Sequence, residues 1–313
     1  MNFFRIYFLP GFIFQSVVIG GGYATGRELV EFFFSAGPVG GVLGLLVSGL
    51  IFGLVLAVGF ELARVTRTYD YRNFCHELLG RGWFLFEITF MIQLLLVLSV
   101  IGSASGKLVG VAFGLPSLVG TLGLMGIIGF LTFSGSEMIK RVLALWSILL
   151  YAVYFLMFIL AFNNFGSDII NTYTEAPIGE GWLSAGIMYS GYNLAVLPAV
   201  LFAISQHSKR RETVGAGLIA GVIAVIPAIL FFIAMMSQYP EIGEQAVPAT
   251  FLMSVMNIGW LELIFNIVVF GTFIETGAAM LHAVNERLDV SFIEKGKHLP
   301  RFARPIVSIT FLA

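Results

Sequence analysis

Three stretches of this sequence carry residue types that can hold ions or small polar molecules in apolar surroundings. The first is Gly20-Gly21-Gly22-Tyr23-Ala24-Thr25-Gly26-Arg27-Glu28, at the end of a long apolar run. Each glycine costs a helix roughly 1 kcal/mol relative to alanine, so a helix through the triplet has a weak point. Backbone opened inside hydrocarbon must face protein, a cavity or bound polar groups. Its free N–H groups suit a carboxylate and its free C=O groups suit a cation. Close helix packing through small residues is the competing reading. The second stretch is Tyr189-Ser190-Gly191-Tyr192-Asn193, with Pro198 beyond it. It reads as a second opened backbone or as a proline-kinked helix. The third is Thr272 to Thr276. The two threonines are one helical turn apart with Glu275 beside them. An acid in such a segment is costly and usually functional; the alternative is a glutamic acid bonded to a neighbouring helix. Binding, rather than bond making, is the chemistry these residues offer.

The elements that must position them are membrane helices. Of 313 residues, 58% are hydrophobic and only 11% charged, and the mean hydropathy is +0.95. A soluble domain carries about 25% charge, so there are too few charges here to coat a water-facing surface. The net charge of -1 argues against nucleic acid. One cysteine, Cys75, excludes a disulfide within the chain. About 20 apolar residues are needed to cross the hydrocarbon core. Windows of that size run over 6–26, 39–60, 88–106, 108–136, 142–167, 181–206, 213–240 and about 260–285. A ninth apolar run starts near Pro305 and is cut short at Ala313. The first window is too long and too glycine-rich for a signal peptide.

Charge sets the expected orientation. Arg5, Arg64, Arg67, Arg72, Arg81, Lys140, Arg141, Lys209, Arg210, Arg211, Arg287, Lys295, Lys297, Arg301 and Arg304 fall on one side, 15 of the 17 basic residues. The opposite loops hold Asp168, Glu175, Glu180, Glu241 and Glu244 and no Lys or Arg. The positive-inside rule then places the N-terminus in the cytoplasm, with the chain crossing the cell membrane many times. Spans one and six enter from opposite sides. Paired weak points in two inverted halves mark a transporter's binding site.

The motifs in spans one and six resemble those of the LeuT-fold transporters of the amino acid–polyamine–organocation superfamily, and most of all the YkvI-like bacterial membrane proteins. The resemblance implies an all-α five-plus-five inverted repeat with helices one and six broken, repeats over 1–163 and 164–313, and interruption within helix nine. It implies a substrate between spans one, three, six and eight. Carried onto this chain, the substrate residues are Gly20, Gly21, Gly22, Tyr23, Ala24, Ser103, Tyr189, Ser190, Gly191 and Asn193. Glu275, Thr272, Thr276 and the carbonyls around Ile19 form a sodium or proton site, with the lone carboxylate tipping the reading toward the proton. Arg27 and Glu31, four residues apart, form an ion pair or part of an outer gate, and Lys107 reaches toward Glu28 or Glu31.

Catalytic chemistry has no constellation here. His76-Glu77 lacks the second histidine of a zinc site, and no phosphate loop occurs. The expectation is a non-enzyme without cofactor, and without metal other than sodium. It is a cation-coupled secondary transporter of a small zwitterion of amino-acid type, embedded in lipid and working by alternating access. A nutrient receptor subunit that binds without transport is the competing class.

Overall fold

The structure is a computed structural model and describes residues 3–134, 136–245 and 247–293. The first apolar window is broken into pieces. Short α1 (Phe3–Tyr7) leads into α2 (Leu9–Val18), and α3 (Gly21–Ala24) and α4 (Arg27–Phe33) follow. Helix α2 ends where Ile19 takes φ -77° and ψ 73°. A second interruption lies at Gly26, whose φ of 84° is a left-handed conformation that glycine alone adopts without strain. The chain then runs through α5 (Gly37–Thr66), α6 (Tyr71–Leu79), α7 (Trp83–Phe113), α8 (Ser117–Ser134) and α9 (Ser136–Glu175), which kinks at Phe165. Next come α10 (Trp182–Leu194), a 3-10 helix over Leu197–Ile204, α11 (Arg210–Met235), α12 (Pro248–Met256) and α13 (Gly259–Ile293). Among the described residues, five helical stretches are long and apolar enough to cross a membrane, six when α10 and the 3-10 helix count as one span bent by 63°. The ninth apolar run and Lys295, Lys297, Arg301 and Arg304 lie outside the described residues.

The break of span six differs from the sequence expectation. Residues 189–193 are helical, and the bend falls just after, at Ala195–Val196. Ser190 and Asn193 donate back to the carbonyls of Gly186 and Tyr189, at 2.6 and 3.0 Å. Side-chain bonds to the preceding turn satisfy these groups locally, so the helix carries the polar run. Pro198 sits at the start of the 3-10 segment, where its missing N–H costs nothing.

Small residues let the spans approach closely. On α11, Gly217 faces the Ala57 backbone of α5 and Gly221 faces Gly53 and Gly49, with no room for a Cβ at either. Gly106 of α7 lies against Ser117 of α8 in the same way. In lipid, such approach replaces the hydrophobic driving force that water would supply. Trp146 of α9 donates its indole N–H to Val268 O of α13 at 3.1 Å, and the Tyr151 hydroxyl bonds to Ile223 O of α11.

Charged residues gather at the helix ends. Glu61 pairs with Arg64 at 2.6 Å and accepts from Thr213, tying α5 to α11. Glu87 of α7 pairs with Arg287 of α13, also at 2.6 Å. Cys75 falls between the apolar windows of spans two and three, where a loop is expected. It is instead buried, at 2% exposure, on the amphipathic helix α6, which Asp70 caps by accepting from Asn73 N.

Candidate substrate and cation site

One corner of the site is made by α13 against the end of α2. Because α2 stops at Val18, its last carbonyls lack helical partners. The Thr276 hydroxyl reaches them, 3.2 Å from Ser16 O and 3.4 Å from Ile19 O. Three oxygens from two elements thus converge where the first span breaks. Glu275 is 2% exposed, and its Oε1 is buried without a hydrogen-bond partner. Thr272 is buried too, but its hydroxyl donates to Val269 O of its own helix at 2.7 Å. The fold therefore brings Thr276 and Ile19 together and turns Thr272 to its own helix, with Glu275 buried next to Thr276 along α13. Ser16 adds an oxygen the sequence reading missed. Its signal was its position one turn before Ile19.

A cavity of about 170 Å³ lies beside this corner, between the broken first span, α7, α10 and α13. Gly20, Gly22 and Glu28 line it from the first span, Gln93 from α7, Tyr192 and Asn193 from α10, and Thr276 from α13. Most of the remaining wall is aliphatic. Glu28 is the one charged residue in the lining. Its Oε1 lies over Gly22, where a Cβ would come within 2.5 Å. The Tyr23 amide donates to this carboxylate, and Oε2 is shut from solvent with no partner. The sequence reading had aimed Glu28 at Lys107. Glycine at 22 and the turn at Gly26 fold it inward instead.

The other expected substrate residues are placed differently. Gly21 opens α3. Tyr23 and Ala24 are buried against α9, with the Tyr154 hydroxyl 3.2 Å from Ala24 O and the Tyr154 ring edge-on to Tyr23. Tyr189 is packed between Phe32, Phe33 and Phe52, at ring distances of 5.2, 5.1 and 6.2 Å. Ser190 is buried and bonded within α10, and Gly191 has nothing within 4 Å of where a Cβ would stand. Ser103 lines a second, larger cavity of about 620 Å³, which shares Gly22 with the first. Arg27, Lys107 and Glu262 also line the second cavity. Arg27 pairs with Glu31 at 3.1 Å and reaches Gly243 O and Gln245 O at 3.4 and 3.3 Å. Ala249 N bonds to Thr25 O at 3.0 Å, so the first turn of α12 is fastened to the turn of the first span.

No protein-family profile matches the chain. It is similar to the uncharacterized membrane protein YkvI of Bacillus subtilis, with 26% identity over 295 residues, 92% of this chain and 82% of YkvI. Its fold matches a solved Na+-coupled sialic acid symporter in a substrate-bound outward-open state. The TM-score is 0.71 at 13% identity, over 97% of this chain and 70% of the symporter. At that identity the likeness speaks to fold and not to substrate. The breaks in spans one and six, the cavity between them and this match agree: the chain has the LeuT-type fold, and over most of its length it is similar to YkvI.

Proposed function

We propose that the chain is a sodium-coupled secondary transporter of a small zwitterion of amino-acid type. The observation that carries this reading is the cavity at the broken first span with the oxygen corner of Ser16, Ile19 and Thr276 beside it. A half-helix end with open carbonyls is how transporters of this architecture hold a coupling cation. Glu275 adds negative charge next to the ion. Substrate occupies the adjoining cavity, and Tyr192 and the aliphatic wall cover its apolar part. The pieces α2 to α4 with α10 move against a scaffold of α7 and α13, exposing the cavity to each side in turn. The two inverted repeats divide near the Phe165 kink of α9. The basic loops face the cytoplasm of a cell whose membrane the helices cross.

The test is uptake into proteoliposomes carrying the full chain, using a radiolabelled amino-acid mixture. An inward sodium gradient should concentrate label, and Glu275→Gln should abolish the concentration. Concentration driven by a pH gradient without sodium would reassign coupling to a proton on Glu275. Binding without accumulation would make the protein a receptor.

A further inference from the structure

Glu28 stands apart from the cation corner, and nothing in the mechanism above uses it. It is the only carboxylic acid among the described residues that line the small cavity, and none of those residues is Lys, Arg or His. One of its carboxylate oxygens is fully buried and unpartnered. An anion so placed is stable only with a cation or proton to meet it. The chain supplies neither from its own lining, and the cavity is larger than a monovalent metal ion needs. The rest of the wall is aliphatic, with the Tyr192 ring, held by Phe32 at 6.3 Å and near parallel to it, on one side. An aliphatic wall suits an alkyl body, and an aromatic face suits a cationic head. The Tyr23 amide is already engaged by Glu28, so this N–H is not free for a carboxylate of the substrate. A bound amine would place its positive charge beside the Glu28 carboxylate, in the cavity that Asn193 also lines.

We propose that Glu28 is the group that recognises the substrate's ammonium, and that the substrate class is set by a primary amine rather than by a carboxylate. This rests on the substrate cavity assigned above. It narrows the class to small alkyl ammonium compounds, for which the carboxylate of an amino acid is dispensable.

The test measures binding alone, so its outcome is separate from that of uptake. Purified full-length chain in nanodiscs, at constant sodium, is scanned by thermal shift against matched sets of three probes. Each set is an amino acid, the amine lacking its carboxylate and the acid lacking its amine, such as leucine, isopentylamine and 4-methylpentanoate, with chain lengths from two to five carbons. At least one amine and its amino acid should stabilise the wild type, and no acid should. Glu28→Gln should weaken amine binding about tenfold or more, the range expected for a lost charged hydrogen bond. Gly22→Ala is the second variant, because its methyl group displaces the Glu28 carboxylate; it should weaken the amine in the same way. Stabilisation by an acid, by amino acids but not amines, or by no amine at all overturns the proposal. So does unchanged amine affinity in both variants. In a separate sodium titration without amine, loss of the sodium-dependent shift in Glu28→Gln together with retained amine binding would assign Glu28 to the ion and also overturn it. If amines bind through Glu28 but nothing accumulates in liposomes, the transport reading fails and this one stands.

Discussion

Two threonines one turn apart on α13 have different fates, and the difference is testable. The Thr276 hydroxyl crosses to the open end of α2, while the Thr272 hydroxyl stays on its own helix. Removing the first takes an oxygen from the proposed ion, whereas removing the second takes only a local bond. Losing one such ligand costs about 1.4 kcal/mol, roughly tenfold in affinity. Thr276→Ala should therefore shift the midpoint of sodium-dependent thermal stabilisation about tenfold upward, and Thr272→Ala should leave it in place. Equal shifts in the two variants would remove Thr276 from the cation site. The same contrast shows what spacing conveys. Residue spacing put both hydroxyls on one face, but which neighbour each meets depends on where α2 ends.

Helix breaks arise from the balance between local bonds and the backbone they replace. In the first span, Ile19 and Gly20 lack such bonds, and the helix stops there. In span six, Ser190 and Asn193 bond to their own preceding turn, and the bend moves on to Ala195–Val196. Composition alone marks both as weak, and side-chain bonding decides which residues open. The α5–α11 contact is the element-scale counterpart. Gly217 has no space for a side chain against Ala57, whereas Gly129 on α8 has nothing within 4 Å. Overpacking costs about 1–3 kcal/mol and often more where backbone is the obstacle. Gly217→Leu should lower the thermal midpoint of the detergent-solubilised chain sharply or prevent its accumulation, and Gly129→Leu should change it little. If the two variants melt together, α5 and α11 are not packed as described. Helix α6 was invisible as a helix because it is too short and too polar for a span. Its signal was the Asp70 cap followed by Tyr71, Phe74 and Cys75 at the i, i+3, i+4 spacing of one helix face.

At the scale of the whole molecule, the charge asymmetry proposes an orientation that labelling can test. Buried Cys75 is a silent background for labelling, since it is 2% exposed. Single cysteines replacing the exposed Glu180 and Glu244 should react with an impermeant maleimide on intact cells, and one replacing the exposed Arg81 should react only after lysis. Labelling of the Arg81 variant on intact cells, with the other two protected, would invert the proposed topology.

The architecture was legible in the chain because hydrocarbon imposes one demand on every span: its backbone must be satisfied internally over about 20 apolar residues. Window lengths and the glycine triplet therefore led to a many-span helical membrane chain with a broken first span, and the resemblance of the motifs led to the LeuT-type fold that the structural match shows. Of the eight expected windows, only five helical stretches, or six with the bent pair, are long and apolar enough to cross a membrane among the described residues. The site was legible only in part. Glycines 20 and 22, Asn193 and Thr276 were named from the sequence and line the cavity, while Ile19 came from the resemblance alone and Glu275 is buried without lining it. Tyr23, Tyr189 and Ser190 could be named too, yet they are turned into aromatic packing and helix bonds. Glu28 is the reverse case. On the linear chain it reads as one member of a charged run with Arg27 and Glu31. The left-handed turn at Gly26 and the bare Cα of Gly22 fold it into the small cavity, while Arg27 pairs with Glu31 and lines the second one. Periodicity reports which face of a regular helix a residue occupies. Where the helix is broken that register is lost, and only the packing of α7, α10 and α13 around the break decides which groups meet.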